Sequence, residues 1–228
     1  MLFTASAFAS DTTAVTQKRF AIGISFSPDY CFRRLVLNYP TENAASAFRY
    51  REATEIPMLG YSCSIGLSYS WKYDLQASAG LGFSQKGFQT RDLLIIDTDG
   101  NVIGLGKYRN NFDYIQLPVK ICWTKGKKKL KFIAEAGITP SYLLYERSNL
   151  KIDYFDGRSD VVRSDVNYIN RTFGWFGEIA AGAELKTGSA SVIRIEPYYS
   201  YAFAPTISTF MTEYLRNSGL KLSCHFRL

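Results

Sequence analysis

Several things are scarce or absent in this chain of 228 residues, and each narrows what it can be. No stretch approaches the roughly 18–20 consecutive apolar residues of a membrane-spanning helix. Runs such as Leu93-Leu94-Ile95-Ile96 end at once in charge, here Asp97, so nothing in the sequence crosses a bilayer as a helix. There is one histidine, His225, close to the C-terminal end. No Ser-His-Asp set and no metal cluster can be assembled around it. Cys31, Cys63, Cys122 and Cys224 have the spacing of neither a zinc site nor a Cys-x-x-Cys redox pair; they allow three pairings in an oxidising compartment and are read as mostly free. The net charge of +7 is scattered along the chain except at Lys125, Lys127, Lys128, Lys129 and Lys131, a group that reads as a solvated turn and not as a nucleic-acid surface.

What is present is apolar and aromatic. Hydrophobic residues make up 46% of the chain and aromatic residues 15%, against 21% charged, which excludes a disordered polyelectrolyte and a coiled coil. The length fits one domain. The start, Leu2-Phe3-Thr4-Ala5-Ser6-Ala7-Phe8-Ala9, closes on an Ala-x-Ala pattern like the tail of a secretory signal, without the basic region that normally precedes it. Cleavage is expected near Ala9, with residues 1–18 as signal remnant and leader and residues 19–228 as the folded domain.

Alternation with period two dominates the rest. Between residues 59 and 71 every odd position is apolar or aromatic and every even one is Gly or Ser. In a strand those positions lie on opposite faces. The same pattern predicts strands at 19–30, 58–71, 75–88, 111–123, 130–145, 171–186, 191–203 and 217–228. Their connections alternate: 31–57, 89–110, 146–170 and 204–216 are long, whereas 72–74, 124–129 and 187–190 are tight turns. Each strand reaches the roughly 9–11 residues that a tilted strand needs to cross a bilayer.

Two eight-stranded designs fit this plan, and they differ in which face is inside. A lipocalin-like soluble carrier keeps apolar side chains in its lumen. Here Lys120, Lys131, Glu135, Glu178, Glu184, Arg194, Glu196, Lys221 and Arg227 share the face of the Gly and Ser positions, while Ile22, Ile24, Phe26, Ile115, Leu117, Val119, Ile121, Ile193, Ile195, Leu220, Leu222 and Phe226 take the other. Apolar outside and charged inside is the arrangement that lipid demands. Aromatics gather near the strand ends, Tyr69, Trp71 and Trp123 on the turn side and Tyr142, Phe173, Trp175, Tyr201 and Phe203 on the loop side, as two interfacial girdles. The expected fold is therefore all-β: an eight-stranded antiparallel up-and-down transmembrane barrel in a bacterial outer membrane, with long extracellular loops and short periplasmic turns.

Four segments carry a family likeness: Gly80-Leu81-Gly82-Phe83-Ser84-Gln85-Lys86-Gly87-Phe88, Asp113-Tyr114-Ile115-Gln116-Leu117-Pro118-Val119-Lys120, Ile195-Glu196-Pro197-Tyr198-Tyr199-Ser200-Tyr201, and the closing Gly219-Leu220-Lys221-Leu222-Ser223-Cys224-His225-Phe226. Over residues 19–228 the chain resembles the small porin-like barrels of Bacteroidota that include the PorT-like proteins. The resemblance implies location and fold; family members share no single activity. Barrels of this kind often end on an aromatic, whereas this chain ends Phe226-Arg227-Leu228.

The residues that carry chemistry give no catalytic, cofactor or metal site. Glu135, Glu178, Glu184 and Glu196 resemble an acid/base set, but Lys120, Lys131, Arg194 and Lys221 share their face, so a paired network closing the bore is the expectation. His225 lies at the periplasmic end, a poor place for a base. Thr98-Asp99-Gly100-Asn101, between Leu93–Ile96 and Val102–Leu105, reads as a hairpin tip that extends the third and fourth strands above the membrane, and it lacks the further ligands of a calcium loop. In the first loop, taken as solvated and mobile, Arg33, Arg34, Arg49 and Arg51 beside Tyr39, Phe48 and Tyr50 are the candidates for contact with lipopolysaccharide phosphates or a protein partner. The function expected is non-enzymatic, through the extracellular loops, as a binding, structural or secretion-assembly component. The alternatives are a barrel enzyme acting on lipid or peptide and a soluble carrier.

Overall fold

Eight long strands, each hydrogen-bonded antiparallel to the next, close on themselves in the computed structural model of the protein, which describes residues 19–72, 74–126, 129–164, 172–208 and 211–228. The expected leader and the lysines 127 and 128 lie outside the described residues. The elements in chain order are β1 (Phe20–Leu37), α1 (Glu42–Thr54), β2 (Glu55–Ile56), β3 (Met58–Lys72), β4 (Leu75–Thr90), β5 (Leu93–Ile96), β6 (Val102–Gln116), β7 (Val119–Lys125), β8 (Leu130–Tyr154), β9 (Ser159–Ser164), β10 (Phe173–Lys186), β11 (Ser191–Ala202), β12 (Ile207–Ser208) and β13 (Met211–Arg227). The ring runs β1, β3, β4, β6 with β7, β8, β10, β11 and β13, and β13 pairs back onto β1. No sheet edge is left facing lipid within the wall, where an unpaired backbone group finds no water.

β6 and β7 are one strand with an interruption. Gln116 faces Gly82 and Val119 faces Ala79, so the register is unbroken across Leu117-Pro118. Pro118 has no N–H to donate, but its carbonyl accepts from the Gly80 N–H at 3.0 Å, and the Leu117 N–H donates to the Pro140 carbonyl at 2.9 Å.

The faces fall as the alternation requires. All twelve apolar residues assigned outward are exposed, with Ile121 at 60%, while Ser68, Glu184, Arg194, Glu196 and Lys221 are buried.

Four strands run well beyond the ends that apolar alternation marks. β1 continues to Leu37 and not 30, β6 begins at Val102 and not 111, β8 reaches Tyr154 and not 145, and β13 begins at Met211 and not 217. Apolar alternation stops where lipid stops, but backbone pairing goes on in water, because an antiparallel ladder tolerates a polar face. Above the barrel the extensions form a crown: β5, β6, β8 and β9 make a four-stranded sheet. Its tips are the expected turn at Asp97, where the carboxylate accepts from the backbone N–H of Asp99 and Asn101 and Gly100 takes φ +87°, and a second turn at Gly157, also at φ +87°. The Asn101 and Asp99 N–H groups hold the Asp97 carboxyl below the ordinary aspartate range.

The first loop is a built element. Thr41 caps α1 by accepting from the Ala44 N–H at 3.3 Å, and Glu42 and Arg51 occupy the ends that suit the helix dipole. β2 then returns the chain onto β4.

The loop-length rule of outer-membrane barrels predicts the crown outside the cell and the turn 187–190 in the periplasm. A tag inserted at Asp156-Gly157 is expected to be labelled on intact cells, and one at Gly188-Ser189 only once the outer membrane is permeabilised. Labelling of only the second on intact cells would invert the orientation.

Candidate functional site

Side chains from all eight wall strands meet in the lumen, and they sort into layers along its axis. At the periplasmic end the Arg194 guanidinium on β11 donates to Glu184 on β10 at 3.0 and 2.8 Å and to the Gln76 amide oxygen on β4 at 2.7 Å. Cross-strand pairing of Glu184 with Arg194 sets that contact in the ladder itself. His225 lies beside this layer with Nε2 3.2 Å from the Ser223 hydroxyl, its ring filling the space over Gly23, where a Cβ would come within 2.6 Å of Nδ1.

The central layer joins five strands. Lys120 on β7 reaches Glu178 at 2.6 Å and Glu135 at 3.2 Å, and Lys221 on β13 reaches Glu135 itself, Glu178 at 3.2 Å and Glu196 at 3.8 Å. Two ammonium groups thus face three carboxylates, all buried or nearly so. Gly137, paired with Lys120, makes this packing fit: a Cβ there would stand 2.6 Å from the lysine Cγ.

Above it lies a polar layer that the sequence did not disclose. Tyr198 donates to Asp29 at 2.6 Å, Ser27 and Ser62 donate to the same carboxylate at 2.7 and 2.8 Å, and Asn217 donates to the Tyr198 oxygen at 2.8 Å. Lys86 donates to Asn217 at 2.6 Å with its ammonium 4.5 Å over the Phe176 ring. Next comes an apolar layer of Phe88, Phe112, Tyr114, Phe176, Ala202 and Leu215.

The extracellular mouth is closed by charge again. Arg33 on β1 pairs with Glu55 on β2 and Glu213 on β13, and Arg51 of α1 reaches the same two carboxylates at 2.9 and 2.6 Å. The Arg33 guanidinium lies 3.3 Å from the Phe88 ring centre, on top of the apolar layer. Between the lower layers lie cavities of about 60 Å³ and about 40 Å³, room for a few waters.

Seven of the nine charged residues assigned to the lumen from sequence come together: Lys120, Glu135, Glu178, Glu196 and Lys221 in one layer, Glu184 and Arg194 in another. Lys131 and Arg227 have no ion pair among the described residues; both are half-buried and stand next to a strand end. Of the four arginines offered for external contact, Arg33 and Arg51 are turned inward and held by Glu55 and Glu213. Arg34 is exposed, and Arg49 is exposed with the Ala45 carbonyl as its partner among the described residues. For Arg33 and Arg34 the cause is that β1 persists through this segment, so successive residues take opposite faces; Arg51 is drawn in from the last turn of α1 by Glu55, four residues on. Among the described residues no group of three or more His, Cys, Asp or Glu is placed to hold a metal ion.

A closed ring of bilayer-length strands, apolar outside and ionised inside, is a transmembrane β-barrel of the outer-membrane class, and the soluble carrier is excluded by its faces. The chain belongs to the outer membrane protein beta-barrel domain family, whose profile matches residues 8–208. No curated protein matches it in sequence. Among solved structures it is similar to the Neisserial surface protein A (9% identity, TM-score 0.45, covering 92% of this chain and 97% of that one). It is similar also to OprG from Pseudomonas aeruginosa (8%, 0.45, 92% and 97%) and to the outer membrane protease OmpT from Escherichia coli (9%, 0.41, 96% and 99%).

Proposed function

We propose that this outer-membrane barrel is non-enzymatic, passes no solute, and works through its extracellular crown as a binding, structural or secretion-assembly component. The observation that carries the proposal is the stacking of paired charge, polar, apolar and again charged layers across the whole lumen, beside a crown of ordered strands above the membrane. A lumen this full has no path for a substrate, whereas the crown presents continuous sheet to the outside. Every carboxylate of the central layer faces an ammonium group, which suits a structural tie better than proton transfer. The segments at residues 80–88 and 113–120 support placing the chain with the PorT-like barrels of Bacteroidota, and with it the secretion-assembly variant of the role.

The test has two arms. Purified protein in planar bilayers is expected to show no steady conductance; large, stable channels would overturn the closed lumen. In a strain lacking the gene, a variant with the β5–β6 and β8–β9 hairpins replaced by short turns is expected to insert but not to restore function. Full complementation by that trimmed barrel would remove the crown from the proposal.

A further inference from the structure

The wall of the barrel splits just above the lipid-facing rows. The β1–β3 ladder ends at Cys31 opposite Met58, and the returning strand β2 pairs with β4 instead of β1. A cleft of about 720 Å³ is left between the upper part of β1 and the α1–β2 segment. Tyr30 and Phe32 line its outer side, Arg51 and Glu52 stand on the helix side, and Arg34 and Arg216 line it as well.

Register and alternation place Arg34 and Arg216 together on the outward face. Arg216 is opposite Phe32 and Arg34 is opposite Tyr214, so the two arginines are diagonal neighbours on adjacent strands. On the other side of β13, Arg216 is paired with Tyr201, one of the aromatics of the loop-side girdle, whose ring stacks on Tyr214 at 6.0 Å. The Arg216 guanidinium lies 4.9 Å from the Tyr201 ring centre. The two cations therefore sit at the height where hydrocarbon gives way to headgroups.

Neither arginine has a carboxylate partner among the described residues, whereas Arg33 and Arg51, one step away, consume Glu55 and Glu213. The Arg216 Nε is buried and has no hydrogen-bond partner among the described residues. An uncompensated guanidinium at a membrane interface is costly unless an anion meets it. Below it, Tyr30, half-exposed, continues the lipid-facing column that begins at Ile22.

We propose that Arg34 and Arg216 clamp the phosphate of an outer-leaflet lipid headgroup, with an acyl chain lying along Tyr30 and Phe32. Planar guanidinium groups suit a phosphate through paired N–H donors, and aromatic rings at the girdle suit the start of the chain. The site is independent of whether the lumen conducts.

Native mass spectrometry of the full chain in dodecyl maltoside, titrated with diphosphorylated lipid A, tests it. Wild-type protein is expected to retain one lipid, and Arg34→Gln with Arg216→Gln to bind it at least roughly tenfold more weakly, as the loss of two charge-assisted contacts implies. Heat-modifiable gel migration checks that the double variant is folded; should it not fold, Arg34→Lys with Arg216→Lys, expected to show intermediate affinity, takes its place. Arg49→Gln, also an exposed arginine of the first loop, is expected to leave binding unchanged. Equal retention by folded wild type and double variant, or an equal loss in Arg49→Gln, would overturn the clamp. Displacement of lipid A by inorganic phosphate at comparable concentration would overturn the assignment to a lipid.

Discussion

Replacing Lys221 by methionine is expected to cost about 3–5 kcal/mol of stability, the penalty for removing one partner of a buried ion pair and leaving the others uncompensated. Lys221 is the group shared by Glu135, Glu178 and Glu196, and its side chain is only 9% exposed. Without it Lys120 alone faces three carboxylates, and it reaches just two of them. Urea unfolding of protein inserted in lipid vesicles measures the loss. Adding Glu135→Gln to Lys221→Met should recover part of it, because one stranded charge goes with the lysine. A single variant within about 0.5 kcal/mol of wild type, the range of ordinary surface substitutions, would mean that the central layer is hydrated and not an interlocked tie.

The second large effect is expected on the opposite face. Leu67 points outward in β3 and is 48% exposed, with Gly23, Ser25 and their neighbours behind it in the lumen and lipid in front. An arginine there meets hydrocarbon and should destabilise the inserted barrel by about 2–4 kcal/mol. Ser68, the next residue, borders the lumen cavity of about 60 Å³ near the periplasmic end, so Ser68→Arg can extend its head towards water and should insert in higher yield. Equal yields of the two variants in vesicle folding assays would mean that the faces are assigned wrongly.

The wall was legible because lipid imposes a strict rule. Residues 59–71 alternate without exception, and a bilayer-spanning strand has no other means of separating apolar from polar side chains. The rule lapses where lipid ends. Asp29 and Lys86 are hard to read from the sequence because each stands beside a residue that blurs the pattern, Pro28 and Gly87, although both keep the inward parity of their strands and both are buried. The arginines of the first loop show the same limit. Read as a loop, Arg33 and Arg34 are equivalent; read as the continuation of β1, parity alone sends Arg33 in to Glu213 and Arg34 to the outer face. Carrying the alternation a few residues past the last apolar position would have separated them. The pairing of β5 with β6 was announced by its turn residues, whereas β9 was not, since its six residues are all exposed and show no apolar period.

The seam between the first and last strands has a kinetic meaning. β1 and β13 pair from Ala21 opposite Arg227 to Leu37 opposite Met211, farther than the bilayer requires. In a partly assembled sheet these two strands are the open edges, and their union is the event that completes the ring. Arg33 and Arg51 reach Glu213 across that junction only after it has formed. Contacts absent until the last step slow the reverse step more than they hasten the forward one. The arginine–glutamate cap is therefore expected to act as a ratchet: it adds little to the rate at which the ring shuts, and reopening at the seam must first tear it apart.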